Sequence, residues 1–437
     1  MSTREQGRPA HFVAWLVGER LVRGTVTVVA LAAVARHLAP AGFGILNFAL
    51  AVVALATPLA QLGLESVLVR DLVRFPEKAG QLLGSSFALR LVAGCVIAGA
   101  LVVSCHHSTL LGGASTALIP LCVIVIVQAG EVADCWFRSR VQSRVVVFIR
   151  GGVIVAGAAV KLILVATGAG IAAFAWVYSI EAAAFAAGLM LCIRVTGDRP
   201  PPMKFDAAVA ADLLRECWGY ALAGFLAAIA VRADQIAVAG MLGDNAAGLY
   251  YGALRLMELP ILVATATATS LFPALAVADD DPAMHARLET VFGLISAISW
   301  ITAIGATLTA PWVVPIILGA AYQAAWPVLV IHGWASLFFF SGMIRAYYLA
   351  LRRAPGTQAI AAAMALGIQV LCNYALVPRL GIEGAALAFL ATQFVNTWVV
   401  TLLLPVLRPC LILQARALWA PWKPSRWAGF AAAARGQ

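Results

Sequence analysis

The sequence predicts an all-α polytopic membrane protein with about twelve transmembrane helices, arranged as two six-helix bundles related by a parallel repeat. Composition, the length of the apolar runs and the placement of basic residues each point there.

Hydrophobic residues fill 62% of 437 positions and charged residues only 11%, for a mean hydropathy of +0.93. A soluble domain carries roughly 25% charged residues, so this chain could not cover a water-facing surface, and lipid must solvate most of it. Lipid offers the backbone no hydrogen bonds, which leaves helices or a closed barrel as spanning structures. The apolar runs are about 20 residues long and lack period-two alternation, which selects helices. The eight cysteines show no CxxC or Cys/His ligand spacing and mostly fall inside apolar runs, where they read as small buried hydrophobes. His106 and His107 read as part of a solvated turn.

Twelve spans are expected at roughly 13–36, 43–65, 82–105, 114–137, 146–167, 170–193, 217–242, 246–274, 288–312, 324–350, 357–377 and 383–407. The first is too long for the apolar core of a signal peptide and carries Glu19, Arg20 and Arg23, so it reads as an uncleaved span. Four segments follow: an N-terminal bundle at 1–195, a cytoplasmic hinge at 196–216, a C-terminal bundle at 217–407 and a cytoplasmic basic tail at 408–437. The hinge opens on Asp198-Arg199-Pro200-Pro201-Pro202, which cannot continue a helix. Phe205, Val209, Leu213 and Leu214 then recur at helical spacing beside charged residues, predicting an amphipathic interfacial helix that leads into the seventh span. In the tail, Trp419, Trp422 and Trp427 alternate with Lys423 and Arg426, which predicts a segment on the inner membrane surface.

With the N-terminus inside, 22 Lys and Arg fall in inner segments and two, Arg36 and Arg379, in outer ones. The positive-inside rule therefore puts both termini in the cytoplasm. It also accounts for the net charge of +10 through topology rather than through nucleic-acid binding. The outer loops are all short, which leaves no room for an extracellular catalytic domain.

The parallel repeat rests on two pairings. Leu38–Leu50 aligns without gaps on Leu242–Leu254 at an offset of 204, matching Leu38, Gly44, Ala49 and Leu50 to Leu242, Gly248, Ala253 and Leu254. The glycine suits a tight outer turn between spans. A weaker pairing joins 168–175 to 381–388. The first offset lays span seven over span one in the same orientation, and such folds tend to hold their substrate between the repeats.

Several passages carry a family resemblance. Arg36-His37-Leu38-Ala39-Pro40-Ala41-Gly42-Phe43-Gly44 is followed by Ala60-Gln61-Leu62-Gly63-Leu64-Glu65-Ser66-Val67-Leu68-Val69-Arg70-Asp71. Arg232-Ala233-Asp234-Gln235, the run from Gly248 to Leu256 and the run from Leu318 to Ala325 continue the pattern. Together they resemble the oligosaccharide flippases, the O-antigen and polysaccharide repeat-unit exporters of the multidrug/oligosaccharidyl-lipid/polysaccharide exporter superfamily. The resemblance implies a bacterial or archaeal cytoplasmic (inner) membrane and two six-helix bundles whose V-shaped cavity opens alternately inward and outward. Its implied load is a polyprenyl-pyrophosphate-linked oligosaccharide, moved from the cytoplasmic to the outer leaflet for cell-surface polysaccharide export. Membrane lipids and other polysaccharide-assembly proteins are the implied partners. No cofactor is implied, and a coupling ion, H⁺ or Na⁺, stays open.

Ionisable groups within spans are costly and tend to face a cavity or a partner. Guanidinium groups match phosphate through their fork geometry. The substrate-cavity candidates are Arg20, Arg23, Arg90, Lys161, Arg232, Asp234 and Arg255. Several have a purely structural alternative: Arg255 with Glu258 and Asp134 with Arg138 sit at helical pair spacing, Lys161 can meet Glu181 on the next span, and Arg90 can snorkel. Pro58 and Pro260 fall at similar places in the two halves, as static kinks or as hinges. Two other functions compete. An ion-coupled multidrug antiporter would share the fold, but it would favour a carboxylate-dominated interior. A membrane polysaccharide polymerase or ligase would carry a large outer loop, which is missing here.

Overall fold

A computed structural model describes residues 9–108, 111, 113–140, 142–195, 200–276, 281–352 and 355–422. It is helical throughout, with no strand among these residues. Ten stretches are long and apolar enough to cross a membrane. Two of them contain a break. Helix α1 (Pro9–Gln61) leaves helical geometry at Ala39, with φ 55° and ψ 172°. The long helix Pro355–Val395 does so at Gly381, with φ 61° and ψ −138°. Splitting both gives the twelve passes of a multi-pass membrane protein.

The chain forms two compact units, Met1–Phe225 and Leu226–Gln437. In the first, α1 supplies two passes. Then come α2 (Leu64–Arg74), α3 (Ala79–His107), α4 (Ser115–Val127), α5 (Val132–Ser139), α6 (Ser143–Ala166) and α7 (Ile171–Val195). Helix α8 (Ala207–Leu242) begins in this unit and ends in the second. A 3₁₀ turn, Gln128–Glu131, joins α4 to α5 within one pass. The core gathers Leu64, Leu68 and Leu72 of α2 with Leu83, Trp136, Phe137, Leu189 and Leu213. Val92, Val96 and Val103 of α3 stay exposed at helical spacing, a stripe suited to lipid.

The second unit continues with α9 (Asp244–Leu256), α10 (Glu258–Ala276), α11 (Asp281–Leu318), α12 (Trp326–Leu351) and α13 (Pro355–Val395). The last pass runs on through a π-helical turn, Asn396–Val400, to Leu403. Phe292, Phe340, Ile344, Tyr348 and Leu407 anchor its core.

The backbone bears out the repeat at both pairings. Ala39 and Gly243 stand 204 positions apart and share one unusual conformation: Gly243 has φ 81° and ψ −179°. Gly168 and Gly381 both have positive φ, at 70° and 61°. The turn between the first two passes therefore sits at Ala39-Pro40, five positions before Gly44, which is helical and buried. Proline bars the preceding residue from helical geometry. Ala39 occupies a region that glycine populates far more readily. Ala39→Gly is expected to stabilise the protein by about 1 kcal/mol, read as a raised thermal midpoint in detergent; an unchanged or lowered midpoint would show that Ala39 bears no strain.

Within the hinge, residues 207–216 are helical and lead into the seventh span as expected, with Leu213 buried and Asp212, Arg215 and Glu216 exposed. Residues 200–206 run without regular structure across the start of α3, and α8 is one continuous helix from Ala207. Lys204 donates its backbone N–H to Gly80 (3.0 Å), and Asp206 donates to Ser85 Oγ (3.0 Å). Asp206 Oδ1 then caps α8 by accepting from Ala208 and Val209 at 2.9 and 3.2 Å. Arg70 grips Glu216 with two hydrogen bonds, at 2.6 and 3.0 Å. These contacts bind the start of α8 to the first unit.

The C-terminal segment begins with a further helix. Helix α14 (Arg408–Leu418) buries Cys410, Leu413, Gln414 and Ala417, and it packs along α11. Trp300, midway along α11, donates to the Leu418 carbonyl at 2.9 Å and meets the Trp422 ring edge-on at 5.5 Å. The apolar face of α14 thus lies against a transmembrane helix. Residues 423–437 of the expected tail lie outside the described residues.

Candidate functional site

The first unit holds two of the candidate cations, Arg90 and Lys161, among its described side chains. Arg90 of α3 is 3% exposed, with no hydrogen-bond partner for Nε or Nη2. It does not snorkel: it turns inward, where its charge bears on Glu131 beside the 3₁₀ turn. Nearby, Arg138 bridges Asp134 of its own helix (2.7 Å) and Glu65 of α2. The helical pair spacing of Asp134 and Arg138 was legible in sequence, but the bridge to Glu65 was not.

Lys161 of α6 is fully engaged. Its ammonium lies 2.8 and 3.0 Å from the two Glu181 oxygens and 3.9 Å from the Tyr178 ring centre. Gly157 makes the room: a methyl group there would fall 1.6 Å from Glu181 Oε1. Lys161 and Glu181 thus neutralise each other between two helices of one bundle. The side chains of Arg20 and Arg23 lie outside the described residues.

The second unit brings the remaining candidates together at the α8–α9 contact. Arg232 is part-buried and donates to Gln235 Oε1 at 2.9 Å, a neutral acceptor one helical turn away. Arg255 of α9 pairs with Glu258 at 2.5 Å. Arg232 lies within electrostatic range of Arg255, and also of Asp234 and Glu258, whose charges act on it in the opposite sense. Like charges held together in a membrane protein are unfavourable unless something anionic offsets them.

Asp234 lies next to this pair in sequence yet faces the other way. It is 4% exposed, because successive helical residues point about 100° apart. Tyr250 Oη lies 2.5 Å from Asp234 Oδ2 and 3.4 Å from His332 Nε2. Tyr251 donates to the Gln235 carbonyl at 3.2 Å and so ties α9 to α8. Tyr250, His332 and Gln235 were not among the sequence candidates. A lone histidine inside a span, and two tyrosines within a family-like passage, were the available signals.

Two further polar groups are buried in this unit. Gln369, Asn373 and Thr392 are each under 4% exposed and retain unpartnered side-chain atoms. Arg345, expected at the inner surface, is buried against the π-helical turn. It donates to Asn396 Oδ1 and Thr401 Oγ1, both at 2.9 Å, and to the Asn396 carbonyl. The guanidinium takes up backbone and side-chain acceptors that the π turn exposes.

A family model described as polysaccharide biosynthesis protein matches residues 33–327, about two thirds of the chain. The chain belongs to the polysaccharide biosynthesis protein family. The match takes in the Arg232/Arg255 pair and the Asp234–Tyr250 contact. Among solved structures, lipid II flippase MurJ in an inward closed conformation superposes with a TM-score of 0.73 at 12% identity, covering 93% of this chain and 91% of that one. A multidrug resistance MATE family transporter of the MOP superfamily, inward-facing, gives 0.67 at 16% identity, over 92% and 96%. A MOP superfamily transporter from Pyrococcus furiosus gives 0.58 at 16% identity, over 92% and 96%. This family member therefore has the MOP-superfamily transporter fold. No curated protein matches its sequence.

Proposed function

We propose that this protein is a flippase that carries a polyprenyl-pyrophosphate-linked oligosaccharide from the cytoplasmic to the outer leaflet by alternating access, for cell-surface polysaccharide export. It would act in the cytoplasmic membrane with both termini inside, alongside other polysaccharide-assembly proteins. The reading is carried by membership of a polysaccharide biosynthesis family, and is supported by Arg232 and Arg255, two arginines on adjoining helices within electrostatic range. A pyrophosphate would add negative charge beside both guanidinium groups, and a planar guanidinium fork can grip two of its oxygens. Such a headgroup cannot cross hydrocarbon bare, so a cationic, partly wet route is what its passage requires.

Leaflet-resolved lipid analysis after depletion of the protein tests this reading. A polyprenyl-pyrophosphate oligosaccharide is expected to accumulate on the cytoplasmic side, and wild-type protein should reverse it. The mass of the accumulated lipid would identify the sugar. Unchanged lipid, with altered sensitivity to cationic drugs instead, would overturn the reading in favour of an ion-coupled multidrug antiporter.

A further inference from the structure

Asp234 on α8, Tyr250 on α9 and His332 on α12 form a hydrogen-bonded chain inside the second unit, and all three are more than nine-tenths buried. Asp234 Oδ1 accepts the Gln235 backbone N–H at 2.8 Å, and Oδ2 meets the phenol. His332 Nδ1 lies 3.0 Å from the Val328 carbonyl. A carbonyl only accepts, so Nδ1 carries a hydrogen, and Nε2 is left facing the phenol. Phe389 stacks on the imidazole at 5.0 Å and holds its plane.

Counting hydrogens shows what the chain lacks. With Asp234 ionised and His332 neutral, the one phenolic hydrogen goes to Oδ2, and Nε2 is a buried acceptor without a donor. One added proton closes the chain in either of two ways. Placed on Asp234, it donates to the phenol oxygen, whose own hydrogen turns to Nε2. Placed on Nε2, it donates to the phenol oxygen, whose hydrogen goes to Oδ2. Both arrangements satisfy every group and leave the triad with no net charge. The empty chain carries one buried negative charge, which is costly in a low-dielectric interior. The two sites therefore share a proton as one unit.

The ionisable neighbours do not neutralise that charge by contact. On α8, Arg232 engages Gln235, and on α9, Tyr251 donates to a backbone carbonyl while Arg255 pairs with Glu258 at the head of α10. Tyr322, from the 3₁₀ turn before α12, packs against Gly252 of α9. From α13 the contact is the uncharged Phe389.

We infer that the Asp234–Tyr250–His332 chain is a proton-binding site that loads one proton as a unit and is coupled to anion binding at Arg232. The coupling clause rests on the proposed flippase reading. Asp234 stands two residues from Arg232, and its charge offsets that guanidinium. Loading the proton removes the offset, so an anionic headgroup binds better to the loaded form. By reciprocity, a bound headgroup draws the proton in.

Infrared difference spectra of the purified protein in lipid nanodiscs, recorded without substrate as the pH is lowered, test the proton site. A protonated-carboxyl band is expected to grow in the wild type and to be absent in Asp234→Asn. In Tyr250→Phe, which keeps the ring and the charge pattern, the midpoint is expected to move by about one pH unit or more. A band unchanged by Asp234→Asn, or one that does not respond to pH, would overturn the site. The coupling is read from binding of a short-chain polyprenyl pyrophosphate across the same pH range. The wild type should lose affinity several-fold more than Asp234→Asn as pH rises through the midpoint; parallel profiles would overturn the coupling. An intact band with no pyrophosphate binding at any pH would instead count against the flippase reading and leave the proton site standing.

Discussion

Replacing Arg232 with alanine is expected to weaken binding of a short-chain polyprenyl pyrophosphate by roughly ten- to a hundredfold, the range spanned by hydrogen bonds to charged groups. The wild-type guanidinium gives one hydrogen bond to a neutral amide, so its charge and its remaining N–H groups are available to a ligand. Folding should suffer little, because the variant removes a single bond at a part-buried position. Arg255→Ala is expected to show a smaller loss, since Glu258 already claims part of that guanidinium. Glu258→Gln should then raise affinity, because it frees Arg255 from its partner. Arg232→Lys separates charge from geometry: it keeps the charge but loses the fork, and an intermediate affinity is expected. Equilibrium binding to purified protein in nanodiscs reads all four variants. Wild-type affinity in both alanine variants would remove the pyrophosphate site from this face of α8 and α9.

The pattern of what was legible in the sequence follows from the range of the interactions. Twelve passes were legible because lipid imposes its thickness on every span, a signal carried by some twenty consecutive residues at a time. The repeat was legible through the matches of Leu38, Gly44, Ala49 and Leu50 to Leu242, Gly248, Ala253 and Leu254, and at the second pairing through Gly168 and Gly381, where positive φ leaves a local mark on residue choice. Ala39 hid its share of that mark by adopting the same geometry without a glycine. The candidate arginines were legible as a class, since charge inside an apolar run stands out. Their partners were not: Asp234 meets Tyr250 across 16 positions, and Tyr250 meets His332 across 82. Which side of α8 faces inward decides that Arg232 and Asp234 part company, and an apolar run on all sides conceals its own buried face. The burial of Arg345 was hidden for a related reason. Near a helix end, snorkelling and burial look identical in sequence, and the π turn that receives it leaves no compositional signature. The tail was read from Trp419, Trp422 and Trp427 and their basic neighbours, whereas Cys410, Leu413 and Ala417 place α14 just before them.

The linker supplies the largest structural effect. Gly63→Ala is expected to destabilise the protein by about 3 kcal/mol, and Gly84→Ala by about 1–3 kcal/mol, through overpacking and, at Gly63, the added cost of a left-handed residue. Gly63 has φ 63°, and a methyl group there would fall 2.5 Å from the Ala221 backbone nitrogen. At Gly84 it would fall 2.4 Å from the Lys204 carbonyl oxygen. Both obstacles are backbone, so no rotamer change relieves them: for Gly63→Ala α8 itself must shift, and for Gly84→Ala the linker must lift away from α3. Lifting would break the Lys204–Gly80 and Asp206–Ser85 bonds and uncap α8 at once. Gly99 of α3 is the control, because a methyl group there meets nothing within 4 Å. Gly99→Ala should therefore be neutral or stabilise by up to about 1 kcal/mol through helix propensity. Thermal unfolding in detergent, with limited proteolysis of the 200–206 segment, separates the cases. Gly84→Ala should melt lower and be cut faster, whereas Gly99→Ala should match the wild type in cutting. Equal melting and equal cutting for Gly84→Ala and the wild type would mean that the linker is not seated on α3. If it is seated, the first turns of α8 travel with the first unit. Any rearrangement that carries Arg232 and Asp234 would then have to bend or twist α8 itself, because its start is tied down by Asp206 and Glu216.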